Sequence, residues 1–166
     1  MEPTHVHLLV NHIPILGSLF GALLLLVGML IKNRSVEVTG LATILIAALF
    51  TLPAYFSGEE AEHIIEKFQG ISEYELEEHE EHAELSLWLM IASGVLSLLT
   101  LVSYVRAKHL TRSSRVATLV ITFFGFITMI PLALHGGKIV HSELRSGEDT
   151  EMHEHHDEHE EHEEHH

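Results

Sequence analysis

The 166-residue chain is predicted to be all-α: an integral membrane four-helix bundle followed by a disordered, acidic, histidine-rich C-terminal tail. Three observations predict it. Four apolar runs, residues 13–31, 38–56, 85–105 and 116–134, are each about 20 residues long, and at the helical rise that length matches a hydrocarbon core of ~30 Å. Charged residues are concentrated between these runs and after them, so the composition is split as in a membrane protein. Finally, residues 148–166 are Glu, Asp and His with almost nothing else, which cannot bury a core. The expected organisation is a transmembrane domain over 1–146, with helices over about 8–31, 38–57, 82–106 and 115–140, and a tail over 147–166.

The absence of cysteine excludes covalent c-type haem, cysteine-ligated iron–sulfur clusters, structural disulfides and thiolate nucleophiles. Chemistry is left to His, Glu, Asp, Met and the backbone. Six of the nine lysines and arginines fall between runs one and two (Lys32, Arg34) or three and four (Arg106, Lys108, Arg112, Arg115). The positive-inside rule puts those loops in the cytoplasm and both termini outside, in a periplasm or its equivalent. His5, His7, His12, His63, His79, His82, His135 and His141 then gather on the outer side, and only His109 faces inward.

In order along the chain, His5, His7 and His12 crowd the start of the first run. That run is expected to persist as a helix rather than be removed as a signal peptide, because Glu2 stands where a basic leader would and no small-residue cleavage pattern follows. Pro14 suits a helix start. If the helix begins earlier, at Thr4, Pro14 instead frees the carbonyl of Val10 and kinks the chain beside His12. Gly17, Gly21 and Gly28 have the small-residue spacing that lets membrane helices pack closely. Run two ends at Pro53 to Gly58, with interfacial aromatics at Tyr55 and Phe56 and Gly58 as a stop signal.

The segment from Glu59 to Glu84 holds eleven glutamates and one lysine, and reads as a solvated acidic connector. His79 and His82 share a helix face. A di-iron carboxylate site is the sharper alternative, but runs one and four lack the facing glutamates it needs. Run four is aromatic at Phe123, Phe124 and Phe126 and leads through Pro131 to His135, Gly136, Gly137 and His141. The paired glycines signal a cap or turn, or a place where a flat cofactor comes close.

Two of these motifs carry a resemblance. His7 and His12 followed by Ile13, Pro14 and Ile15, and Gly136, Gly137, Lys138, Ile139, Val140 and His141 near the end, are similar to the bacterial membrane family called domain of unknown function 2231. His82 matches a third family histidine. The similarity covers residues 5–143. Ser142 stands where relatives often have glycine, and His135 is one residue closer to the glycines than the histidine some relatives carry. The resemblance implies a four-helix membrane domain. In many relatives this domain is fused to c-type cytochrome or Rieske domains, which implies a redox setting.

Three readings follow. The first is a b-type haem held in a redox or electron-transfer setting by residues drawn from His7, His12, His82, His135 and His141 with Gly136 and Gly137, its partner a periplasmic cytochrome, another redox protein or quinone. The second is Zn²⁺ or Cu²⁺ held by His12, His63, His79, His82 and His135, with Glu59, Glu60 or Glu81 as a carboxylate ligand. Weak capture by tail residues His153, His155, His156, His159, His162, His165 and His166 would add to it. The third is a non-catalytic accessory subunit. Catalysis by the chain alone is not expected, since no nucleophile and base stand out. The lipid bilayer is the one partner common to all three readings, and no nucleic-acid partner is expected.

The topology is testable: reporter fusions after Asn33 and after Lys108 are expected to report cytoplasm, and a fusion after Gly70 the outside. A periplasmic signal at either basic loop would overturn the orientation.

Overall fold

The computed structural model describes residues 7, 9–65, 73–107, 109 and 111–140, with 63–65, 73, 75 and 135–140 described by their backbone alone. Four long helices make up nearly all of it: α1 (His12–Ile31), α2 (Arg34–Ile65), α3 (Glu73–Ala107) and α4 (Arg112–Val140). Each is long and apolar enough to cross a membrane. Sequential neighbours run antiparallel, and α1 also packs on α4, so the four close into a bundle.

The apolar runs appear as expected, but α2, α3 and α4 extend beyond them. Gly58 does not stop α2, which continues to Ile65, and α3 already begins at Glu73, so most of the acidic connector is helix. Glu and Ala are strong helix formers, and a helix already nucleated in an apolar run propagates through them at little cost. Likewise Gly136 and Gly137 lie within α4 and do not turn it. Pro53 and Pro131 are also inside helices, where each lacks the N–H its turn would use. The tail and His141 lie outside the described residues.

At the start of α1, Asn11 has helical dihedrals and makes no side-chain cap, and its N–H donates to the His7 carbonyl at 2.9 Å. The helical course therefore reaches back to His7. Pro14 then leaves the Val10 carbonyl without its helical donor, while Thr4, where the earlier start was expected, lies outside the described residues. The other end of α1 closes at Lys32, whose left-handed φ of 54° lets its N–H return to the Gly28 carbonyl. Asn33 Oδ1 then accepts from the N–H groups of Ser35 (3.0 Å) and Val36 (3.4 Å), starting α2. Two residues suffice to reverse the chain.

Contact between α1 and α2 is made backbone to backbone. A Cβ on Gly28 would lie 2.6 Å from the Glu37 nitrogen, one on Gly40 2.5 Å from the Leu25 nitrogen, and one on Gly21 3.0 Å from the Ile44 nitrogen. Any side chain at these positions would push the helices apart, so the glycine spacing read from the sequence does act in packing. Between α3 and α4 the contact is made by hydroxyls: Ser86 bonds Thr128 at 2.8 Å and Ser93 bonds Thr122. Ser97 reaches across to α2 and donates to the Leu41 carbonyl at 2.6 Å.

The resulting core is built largely of small and polar residues. Ser18, Ser93, Ser97, Thr118 and Thr122 are fully buried, while Phe20 is 56% exposed, Leu30 71% and Trp88 60%. In water this distribution would leave large apolar side chains unsatisfied. The most demanding buried group is Glu37, 2% exposed and packed against Gly28. Arg115 of α4 places Nη1 2.6 Å from both carboxylate oxygens, and Arg34 adds a longer contact of 3.4 Å. This pair ties α2 to α4 at one end of the bundle, called here the arginine end.

Replacing one partner should strand the other charge, a loss of about 3–5 kcal/mol for a buried pair. Arg115→Ala is therefore expected to lower stability by that order in a denaturant titration of the detergent-solubilised protein. The double change Glu37→Leu with Arg115→Met is expected to recover most of it. A single variant as stable as the wild type would show that the pair contributes nothing.

Candidate functional site

At the end opposite the ion pair, the helices enclose a cavity of about 700 Å³ lined by residues from all four helices. Its floor is buried and mostly small or apolar, formed by Pro14, Thr51, Ala54, Ser86 and Met129. One wall is acidic and belongs to α2 and α3, with Glu59 and Glu62 from the first and Glu80, Glu81 and Glu84 from the second. The α1 and α4 side carries no carboxylate and presents His12, Asn11, Leu132 and Ala133. Asn11 contributes a buried Oδ1 that has no hydrogen-bond partner among the described residues.

Two half-buried histidines face this space from opposite hairpins. His7, one turn before α1, directs Nδ1 at the Ala54 carbonyl of α2 at 2.9 Å. His79 of α3 directs Nδ1 at the Leu132 carbonyl of α4 at 3.1 Å. A carbonyl only accepts, so Nδ1 must carry the proton in both rings. In the neutral imidazole Nε2 is then the lone-pair nitrogen, the arrangement that orients a histidine to ligate through Nε2. Gly58 makes room for the first of these rings, since a Cβ there would sit 3.0 Å from His7 Cε1. The glycine that looked like a helix stop is a seat for a histidine.

The other expected site residues are distributed as follows. His12 lines the cavity at its exposed rim. His82 is half-buried on α3 and is not part of the lining, so of the two histidines sharing that face only His79 meets the cavity. Glu59 and Glu81 are in the wall and Glu60 is not. His63 and His135 lie on helical backbone with side chains outside the described residues, as does Gly136 with Gly137 by backbone alone, and His141 and the tail histidines are outside altogether. Among the described residues no three His, Asp or Glu side chains are grouped to hold one metal ion. His109 is exposed at the arginine end, away from the cavity.

Sequence reasoning missed Asn11, Glu62, Glu80 and Glu84 as cavity residues. For Glu62 the signal was the continuation of helix-forming sequence past Gly58, three residues after Glu59, and for Glu80 and Glu84 their spacing of four ahead of the third apolar run, since positions three or four apart share a helix face. Asn11 gave no signal of its own. The site thus belongs to a four-helix bundle of membrane-spanning length with a histidine-bearing, partly acidic cavity at one end. No family model, no curated protein and no solved structure matches the chain.

The seat for His7 can be tested. In the wild type the His7 ring is expected to give the ¹⁵N signature of the Nδ1–H tautomer. Gly58→Leu should displace the ring and produce a mixture of tautomers. An Nε2–H signature at His7 in the wild type would contradict the bond to Ala54.

Proposed function

We propose that this protein is an integral protein of the bacterial inner membrane that holds a b-type haem in the cavity at the histidine end and works in a redox or electron-transfer setting. The observation that carries the reading is the pair His7 and His79, each on a different hairpin, each facing one cavity, each with Nδ1 committed to a backbone carbonyl. Ligating histidines are held in this way, with the second nitrogen fixing tautomer and ring orientation. The cavity volume lies within the usual range for cofactor sites, and its small, apolar floor suits a flat ring. The side formed by α1 and α4 carries no carboxylate, so anionic groups would be placed there, away from the acidic wall. The buried, unpartnered Oδ1 of Asn11 leaves an acceptor for a bound group to satisfy.

His7 and His79 would hold the iron, with His12 at the rim. A haem held there would supply one-electron chemistry, with a periplasmic cytochrome, another redox protein or quinone as the partner. The chain's own part is to fix the two rings and to exclude water with Pro14, Ile15, Met129 and Leu132. Insertion in a membrane is supported by the apolar outer faces around a hydroxyl-rich core, since a bundle in lipid gains nothing by burying leucine and packs through small and hydroxyl residues instead. The concentration of Lys32, Arg34, Arg106, Arg112 and Arg115 at the other end supports a cytoplasmic position for that end, and hence periplasmic termini. The same redox company is what the sequence resemblance to domain of unknown function 2231 would imply.

A second reading is favoured by one observation, the five glutamates of the cavity wall, which attract cations. On that reading the site takes Zn²⁺ or Cu²⁺.

Visible absorption and metal analysis of the same purified sample distinguish the readings. A Soret band that shifts on reduction is expected, lost in His7→Ala and in His79→Ala and retained in His82→Ala and His109→Ala. Stoichiometric zinc or copper without a Soret band would replace haem by the second reading. A sample with neither would leave an accessory subunit.

A further inference from the structure

We propose that Asn11 is the seat for a carboxyl arm of the bound haem, so that the cavity takes its ligand in one orientation. This deepens the haem reading above, on which it rests, by naming the side of the cavity that the carboxyl edge of the ring meets.

His7, Asn11 and Pro14 follow one another at spacings of four and three, and positions so spaced share a helix face. The bond from the Asn11 N–H to the His7 carbonyl carries the helical course back through this stretch, and all three residues line the cavity. Pro14 belongs to the floor, and Asn11 stands about one turn nearer the mouth. Asn at the start of a helix commonly caps it, but Asn11 makes no side-chain cap. Its Oδ1 is buried without a hydrogen-bond partner among the described residues. A buried amide oxygen left unbonded costs free energy, and in a residue that lines a cavity the missing partner belongs to what fills the cavity.

Haem is a flat, mostly apolar ring with two carboxyl arms on one edge. The floor of Pro14, Ala54 and Met129 suits the apolar edge, which leaves the carboxyl edge toward the mouth. Around the mouth the helices differ. Glu59 of α2 and Glu80, Glu81 and Glu84 of α3 are exposed there, and a carboxylate brought against them meets like charge. Among the described lining residues of α1 and α4 there is no acid, and Asn11 is the one amide. An uncharged amide can hold a carboxyl arm in either form: Nδ2 donates to a carboxyl oxygen, and Oδ1 accepts from the arm when it is protonated. The arms are therefore drawn to the α1 and α4 side by a hydrogen bond and kept from the α2 and α3 side by charge.

Haemin and haemin dimethyl ester, in which both arms are capped, separate the seat from the rest of the site. Each is titrated into the full chain in lipid nanodiscs, with empty nanodiscs as the blank, and affinity is read from the Soret band. The wild type is expected to bind haemin about tenfold more tightly than the ester, the effect of one hydrogen bond to a charged group. In Asn11→Leu the haemin affinity should fall to that of the ester, while the ester affinity holds. Asn11→Asp keeps the shape and adds a charge, and should weaken haemin further while again sparing the ester. It also stands in for Asn11→Leu if that variant folds poorly, and the wild-type comparison needs no substitution. Equal affinities in the wild type, an undiminished preference for haemin in the variants, or an equal loss of both ligands would overturn the seat and leave the haem site standing. No Soret change with either ligand would overturn the haem site and the seat with it.

Discussion

A carboxylate taken out of water is costly unless it is paired, and Glu37 meets Arg115 at 2.6 Å through two oxygens. The rest of the bundle depends on that contact being possible. Glu37 is buried because α1 comes close enough at Gly28 to cover it, and that approach exists only because Gly28 has no side chain. Arg115, itself 12% exposed, reaches it from the first turn of α4, which fixes the diagonal of the bundle as well as its depth. The four helices are thereby registered at one end. At the other end the same register brings His7 and His79 to a common space.

Much of the fold was legible in the sequence because the apolar runs had the length of a membrane crossing and were separated by charge. The close packing of α1 on α2 was also legible, as glycines four apart at Gly17 and Gly21. What escaped was where the helices end. Gly58 and the pair Gly136 and Gly137 have the composition of stops, yet helix propagation costs little once an apolar run is folded, and at Gly58 the missing side chain is occupied by an imidazole ring. The ion pair escaped for a different reason: Glu37 and Arg115 are far apart in sequence, and each taken alone reads as an ordinary loop charge.

The candidate site was partly legible. Gathering of histidines at one end followed from topology alone, and His7 and His12 are at the cavity. The choice between His79 and His82 was beyond the sequence, since both lie on one general face of α3 and three residues turn the helix by about 300°, enough to take one of them off the cavity. Backbone carbonyls decided the matter. His79 reaches Leu132 and His7 reaches Ala54, and no pattern of residue types announces a bond to a carbonyl.

The turn between α1 and α2 has a further consequence. Lys32 takes the left-handed conformation and Asn33 caps the next helix, so the two residues have no slack. One residue inserted there would rotate α2 by about 100° against α1. Gly40 would leave Leu25, Glu37 would turn away from Arg115, and Ala54 would no longer lie under His7. The length of this link therefore sets at once the packing of Gly40 on Leu25 and the place of Ala54 beside His7, at opposite ends of the same hairpin.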